Sequence, residues 1–127
     1  MSLENKLVVK IYSFGFHLSG IPEDTSGPKG GFVFDCRFLP NPGREERFAH
    51  LTGRDKEVID YLEQHEVVQI FLKNVFEIID LAVRNYQERG FTDLMVSFGC
   101  TGGQHRSVYC AERLYRHLRS KGVAATV

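Results

Sequence analysis

The stretch Leu94-Met95-Val96-Ser97-Phe98-Gly99-Cys100-Thr101-Gly102-Gly103-Gln104-His105-Arg106-Ser107 decides how this chain is read. Its first five residues form a short, almost wholly apolar run, the pattern of a strand buried on both faces. Glycine then recurs at 99, 102 and 103, which no strand interior tolerates well. Beyond it Ala111, Leu114, Tyr115 and Leu118 return at three- and four-residue steps, the buried face of a helix that Gly122 ends. A strand, a glycine-rich turn and a helix in direct succession imply a crossover connection, and so a mainly parallel sheet with helices packed on it.

Working outward, Leu7 to Ser13 is β-branched and apolar up to Gly15, and reads as a first strand. From Gly15 to Gly31 glycine, proline and small polar residues accumulate, including Gly20, Pro22, Gly27 and Pro28, which predicts a loop. Phe32 to Cys36 resumes strand character, and Pro40-Asn41-Pro42-Gly43 stops it because proline supplies no ladder donor. A second loop follows. Thr52-Gly53-Arg54-Asp55 has the form of a capping box and predicts a short helix from there to about His65. Val68, Phe71, Leu72, Val75, Phe76, Ile79, Ala82, Val83 and Tyr86 then lay one apolar stripe along a long helix that Gly90 ends. Val123 to Val127 reads as a terminal strand. The expectation is one α/β domain over residues 1–127, with ligands at the carboxyl ends of its strands.

The composition agrees with that reading. With 127 residues, 43% hydrophobic and 25% charged, the chain suits one compact domain rather than a disordered polymer. Sixteen basic and sixteen acidic side chains cancel to a net charge of zero, so any anion recognition has to be local. From Arg106 onward five basic residues face the single acid Glu112, a local +4 that an equal negative balance elsewhere offsets. Such a face could meet RNA phosphates or simply be a solvated helix face. Three cysteines, Cys36, Cys100 and Cys110, suit reduced thiols rather than a disulfide framework. Charges at Glu4, Lys6 and Lys10 interrupt the apolar N-terminus, and no run approaches a membrane span, so a cytoplasmic protein is expected.

The chemistry concentrates in the Gly99 to Ser107 turn. Paired glycines let backbone amides turn inward, the following helix adds unpaired N–H groups, and Arg106 can add a two-donor fork. Cys100, Gly103, Arg106 and Ser107 match C-x-x-G-x-x-R-[ST], the phosphate loop of cysteine-dependent phosphatases, against a chance expectation of about 0.002 for this composition. In that alternative, a phosphoric monoester hydrolase, Cys100 would be the nucleophile with its thiol pKa lowered by the helix N-terminus and Arg106. Asp35 and Asp55 are the candidates for its acid. The nucleotide loop G-x-x-x-x-G-K-[ST] is absent. His17, His50, His65, His105 and His117 show no metal-ligand spacing, so neither a metal nor a cofactor is implied.

The longer words Ser13-Phe14-Gly15-Phe16, Gly20-Ile21-Pro22, the run Val33 to Pro42 (VFDCRFLPNP), Leu51-Thr52-Gly53 and Gly99 to Val108 (GCTGGQHRSV) resemble the C-terminal domain of the RapZ family in order and spacing. The resemblance covers roughly residues 13–119. Full-length members join this domain to a nucleotide-binding P-loop domain. The resemblance implies an RNase-adapter role in which the domain binds small regulatory RNA and senses an amino-sugar phosphate, glucosamine 6-phosphate. Carried over position by position, Thr101, Gly102, Gly103, His105, Arg106 and Ser107 would form the phosphate cradle, with Gln104 among them and Arg37 and Asn41 facing it. The family pattern differs at Gly43, where it has histidine, and at His17, where it has lysine. The expected partners are a phosphorylated small molecule, a small RNA or another protein, and further copies of the chain.

Overall fold

A computed structural model describes residues 7–26 and 30–127. The order of elements is β1 (Val8–Gly15), β2 (Phe32–Asp35), two 3-10 turns (Pro42–Arg44 and Glu46–Phe48), α1 (Lys56–Glu63), α2 (Glu66–Glu88), β3 (Asp93–Cys100), α3 (Arg106–Ser120) and β4 (Ala125–Thr126). The sheet order is β2-β3-β1-β4, and every pairing is parallel. This is the single α/β domain that the strand, turn and helix pattern implies.

Alternation along the strands sets the core. Val9 and Ile11 of β1 and Leu94, Val96 and Phe98 of β3 are buried in one cluster with Leu72, Val75 and Ile79 of α2 and Leu114 and Leu118 of α3. Each such side chain removed from water contributes about 1.5–3 kcal/mol before the entropy of ordering it is counted. On the other face, Tyr12 is exposed, whereas Met95 and Ser97 lie beneath the 22–24 and 30–33 segments. Gly27 and Pro28, part of the expected loop, fall outside the described residues, as does the charged N-terminal stretch up to Lys6.

The Thr52–Asp55 expectation needs a correction. The Asp55 carboxylate accepts from the Thr52 amide at 2.7 Å and the Thr52 hydroxyl from the Arg54 amide at 3.1 Å, but these bonds close a free-standing turn. Helix α1 begins one turn later, with Asp55 itself at its N-cap. The reason is packing. The Gly53 amide donates to the Gln104 carbonyl at 3.0 Å, which ties the turn to the approach to α3 before any helix can start. A Cβ at Gly53 would stand 2.3 Å from the His105 carbonyl oxygen and 2.4 Å from the Tyr109 nitrogen, so only glycine allows that approach. The second loop is more regular than expected, because Pro42 and Asn41 organise the first 3-10 turn: proline suits its first position, and the Asn41 side chain accepts from the Gly43 amide.

The first three strands bring their carboxyl ends together. Gly15 pairs with Cys100, and Asp35 with Gly99. The Phe16 and Cys36 amides continue the ladder onto Cys100 and Gly99 at 2.8 and 2.7 Å. The loop from Cys100 to His105 therefore emerges between the segments that follow β1 and β2.

Candidate functional site

The backbone of the 100–107 loop is laid against β1 with no side chain between them. A Cβ on Gly15 would meet the Gly102 carbonyl carbon at 2.7 Å, and one on Gly103, which has a φ of 70°, would meet the Gly15 nitrogen at 2.7 Å. Among the described residues the amides of residues 102–108 donate to no backbone carbonyl. Those of Gly103 and Ser107 face the Cys100 sulfur, and the others are the donors that a helix N-terminus leaves, on a loop that turns them together.

Arg106 is 4% exposed. One guanidinium nitrogen, Nη1, donates to the carbonyls of Arg37 at 2.7 Å and Leu39 at 3.1 Å, which binds the segment after β2 to the start of α3. Its Nε is sealed from solvent and has no acceptor within the protein. An unpaired buried donor of a cation is costly and calls for an explanation. The side chain borders a cleft of about 550 Å³ also lined by Arg37, Phe38, Leu39, Pro40, Asn41, Arg44, Glu45, Tyr61 and Thr101. Three arginines against one glutamate make that cleft locally cationic in a chain of zero net charge.

The expected residues do not all share it. Thr101, Arg106, Arg37 and Asn41 line the cleft. Gln104 and His105 turn the other way: Gln104 Nε2 donates to the carbonyls of Ala49 and Leu51 at 2.8 and 2.7 Å, and His105 Nε2 lies 2.9 Å from the Phe48 carbonyl. Both side chains strut the 48–51 segment. Arg37 holds Asp35 through two guanidinium nitrogens and lies 3.8 Å over the Phe16 ring. That pairing keeps the Asp35 carboxyl below its ordinary 3.8, with Arg106 adding to the effect, so Asp35 is poorly placed to deliver a proton. Asp55 is engaged with Thr52. Arg44, Glu45 and Tyr61 were not legible as site residues. The first two follow a proline turn as ordinary surface charges would, and Tyr61 sits on a short helix between buried Val58 and Leu62.

Cys100 is 2% exposed, with its Sγ 3.2 Å from the Ser107 hydroxyl. Burial pushes its thiol up, but the Ser107 hydroxyl, the Ser107 and Gly103 amides and the Arg106 charge outweigh burial and hold the thiol below its ordinary 9.0. Cys36 behaves in the opposite way: hydrogen bonding with Cys110 and burial raise its thiol far beyond the ordinary range. The basic face of α3 is only partly free, since Arg113 donates to the Tyr109 hydroxyl at 2.7 Å and reaches Glu63 at 3.5 Å. Among the described residues no group of three or more His, Cys, Asp or Glu is placed to hold a metal, and no helix is long and apolar enough to cross a membrane.

A cleft at the carboxyl ends of parallel strands is where α/β domains take small ligands. Comparison with known families places this domain more narrowly. Residues 7–127 match the RapZ C-terminal domain, and the chain belongs to that family. It is 41% identical over 122 residues to a protein of Thermotoga neapolitana named as a nucleotide-binding protein, covering 96% of this chain and 41% of that one. Proteins with the same designation from Caldicellulosiruptor saccharolyticus (40% over 121 residues, 95% and 39% coverage) and Clostridium botulinum (42% over 120 residues, 94% and 39%) are similar to it as well. The chain thus spans about two fifths of the length of these relatives.

Proposed function

We propose that this domain is a regulatory module that binds a phosphorylated small molecule in the Arg106 cleft, with an amino-sugar phosphate such as glucosamine 6-phosphate as the ligand. The observation that carries this reading is the buried Arg106, whose Nε has no protein acceptor although the side chain borders the cleft. A phosphate in the cleft would neutralise that buried guanidinium, and the loop amides that do not face Cys100 would offer it further donors. Arg37, Arg44, Thr101 and Asn41 supply further donors around it. The family membership supports a ligand-responsive adapter domain. The nucleotide-binding name of the relatives belongs to proteins more than twice as long, and the lysine-bearing nucleotide loop is not in this sequence.

The test is a thermal shift with glucosamine 6-phosphate, glucosamine and inorganic phosphate. A ligand at 100 times its Kd stabilises by about 2.7 kcal/mol, which such an assay resolves. The phosphorylated sugar is expected to shift the transition and its unphosphorylated parent not to. Equal shifts from both sugars would end the reading. Arg106→Lys is expected to lose most of the shift, because an ammonium cannot reproduce the planar fork.

One observation favours a second reading, a cysteine-dependent phosphatase: the lowered Cys100 thiol beside Ser107 and Arg106. Release of phosphate from an aryl phosphate by the wild type, lost in Cys100→Ser while binding persists, would establish it. A binding module leaves the aryl phosphate intact and keeps its affinity in that variant.

A further inference from the structure

Helix α2 carries two apolar stripes on opposite faces. Val68, Leu72, Val75, Ile79 and Val83 lie in the core. On the far side Val67, Ile70, Ile78 and Leu81 are 42%, 51%, 43% and 63% exposed. A solvent-facing helix surface is ordinarily polar, and a contiguous apolar strip there marks an interface.

The spacing identifies what the strip fits. Asn74 sits at its centre, with Ile70 and Ile78 four residues to either side and Val67 and Leu81 seven to either side. The strip therefore reads the same in both directions. A second copy of the helix, running antiparallel about a two-fold axis beside Asn74, sets Val67 against Leu81 of the second copy and Ile70 against Ile78. The two Asn74 amides meet at the axis, where a paired polar group fixes register.

Charge gives independent support. Glu66, Lys73, Glu77 and Arg84 are all exposed and lie on one flank of the strip, about 60–100° around the helix from Asn74. None of them forms an ion pair among the described residues. The two-fold keeps that flank on the same side in both copies. It brings Glu66 within about 3 Å, along the axis, of Arg84 of the second copy, and Lys73 equally close to its Glu77. A parallel pairing would instead lay the charged flank on the opposite one, which carries Phe71 and Ala82. Phe38, 61% exposed, packs on Phe71 at a ring separation of 5.3 Å and extends the apolar surface there.

We infer that the outer face of α2 is a self-association surface, through which two copies of this chain pair antiparallel with Asn74 on the two-fold axis. Sedimentation equilibrium at about 100 μM, where a micromolar association is saturated, is expected to give twice the 14.5 kDa chain mass. Glu77→Lys is expected to weaken the dimer about tenfold, since the like charges meet twice by symmetry. Combining it with Lys73→Glu restores the wild-type value. Asn74→Cys is expected to cross-link to its own copy on mild oxidation, against a low background because the three native cysteines are buried. Glu88→Cys does not cross-link, its two copies being about 42 Å apart along the pair. A monomer at that concentration overturns the inference, and would point to the rest of the relatives' length as what covers the strip. A dimer insensitive to these charges, or cross-linking as fast at 88 as at 74, overturns it too.

Discussion

Adding a single methyl group separates two of the glycines. At Gly53 the new carbon meets backbone atoms of His105 and Tyr109 that cannot move without unwinding the start of α3, whereas at Gly102 nothing stands within 4 Å. Gly53→Ala is expected to cost about 1–3 kcal/mol in chemical denaturation, and Gly102→Ala to stay within about 0.5 kcal/mol of the wild type. Cys100 provides a titration at the same scale. Its folded pKa lies below the 9.0 of the free thiol, so ionisation favours the folded state. The contribution is fully present above 9.0 and is lost as pH falls through the folded value. Thiolate absorbance is expected to appear below pH 9 in the wild type and to vanish from that window in Cys100→Ser. A wild type whose absorbance rises only above pH 9 would refute the Ser107, amide and Arg106 account. Arg106 was legible from its spacing to Cys100 and Gly103, because a phosphate loop is a local device. Its grip on Arg37 and Leu39 was not, because those carbonyls lie 69 and 67 residues away in sequence. Gln104 and His105 were placed in the cradle by the family resemblance, and contacts with Ala49, Leu51 and Phe48 turn their side chains away from it.

At the scale of elements, periodicity found what packing needs and passed over what it leaves outside. The strands and the long helix stand where apolar runs and glycine stops put them, since burial in one core fixes each of those patterns. The short helix moved by a turn because the capping signal at Thr52 is consumed by a contact with the 104–105 approach that no local pattern encodes. On α2 the sequence reading selected Val68, Leu72, Val75 and Ile79 and did not weigh their neighbours Val67 and Ile78. A helix apolar on two faces has a blurred period, and only the fold tells which face is covered. Adjacent isoleucines make the distinction measurable. Ile79→Ala, at a fully buried site, is expected to lose about 2–5 kcal/mol, while Ile78→Ala at its 43% exposed neighbour is expected to lose less than about 1 kcal/mol in dilute solution. Similar losses at both would contradict the assignment of the inner face.

For the whole molecule, charge and topology lead in different directions. The +4 from Arg106 onward is smaller in effect than it looks in sequence, because Arg106 is enclosed and Arg113 is engaged by Tyr109 and Glu63. Any RNA contact made by α3 then rests on exposed Arg116 and Arg119, and replacing both is expected to flatten the log-log salt dependence of binding by about 1.4–1.8. A slope unchanged by that double replacement would move the contact elsewhere. The sheet has a consequence of another kind. Its inner strand β1 is flanked by β3 and β4, with Val8 paired to Asp93 and Val9 to Ala125. A growing chain therefore carries its most apolar early segment, Leu7 to Ile11, through the synthesis of more than eighty further residues before the first neighbouring strand exists. During that interval β1 is an unpaired, sticky ribbon, and such non-local parallel pairing is slow to form even in the finished chain. A nascent chain that stays protease-sensitive until β3 has emerged from the ribosome is the expected outcome of this strand order.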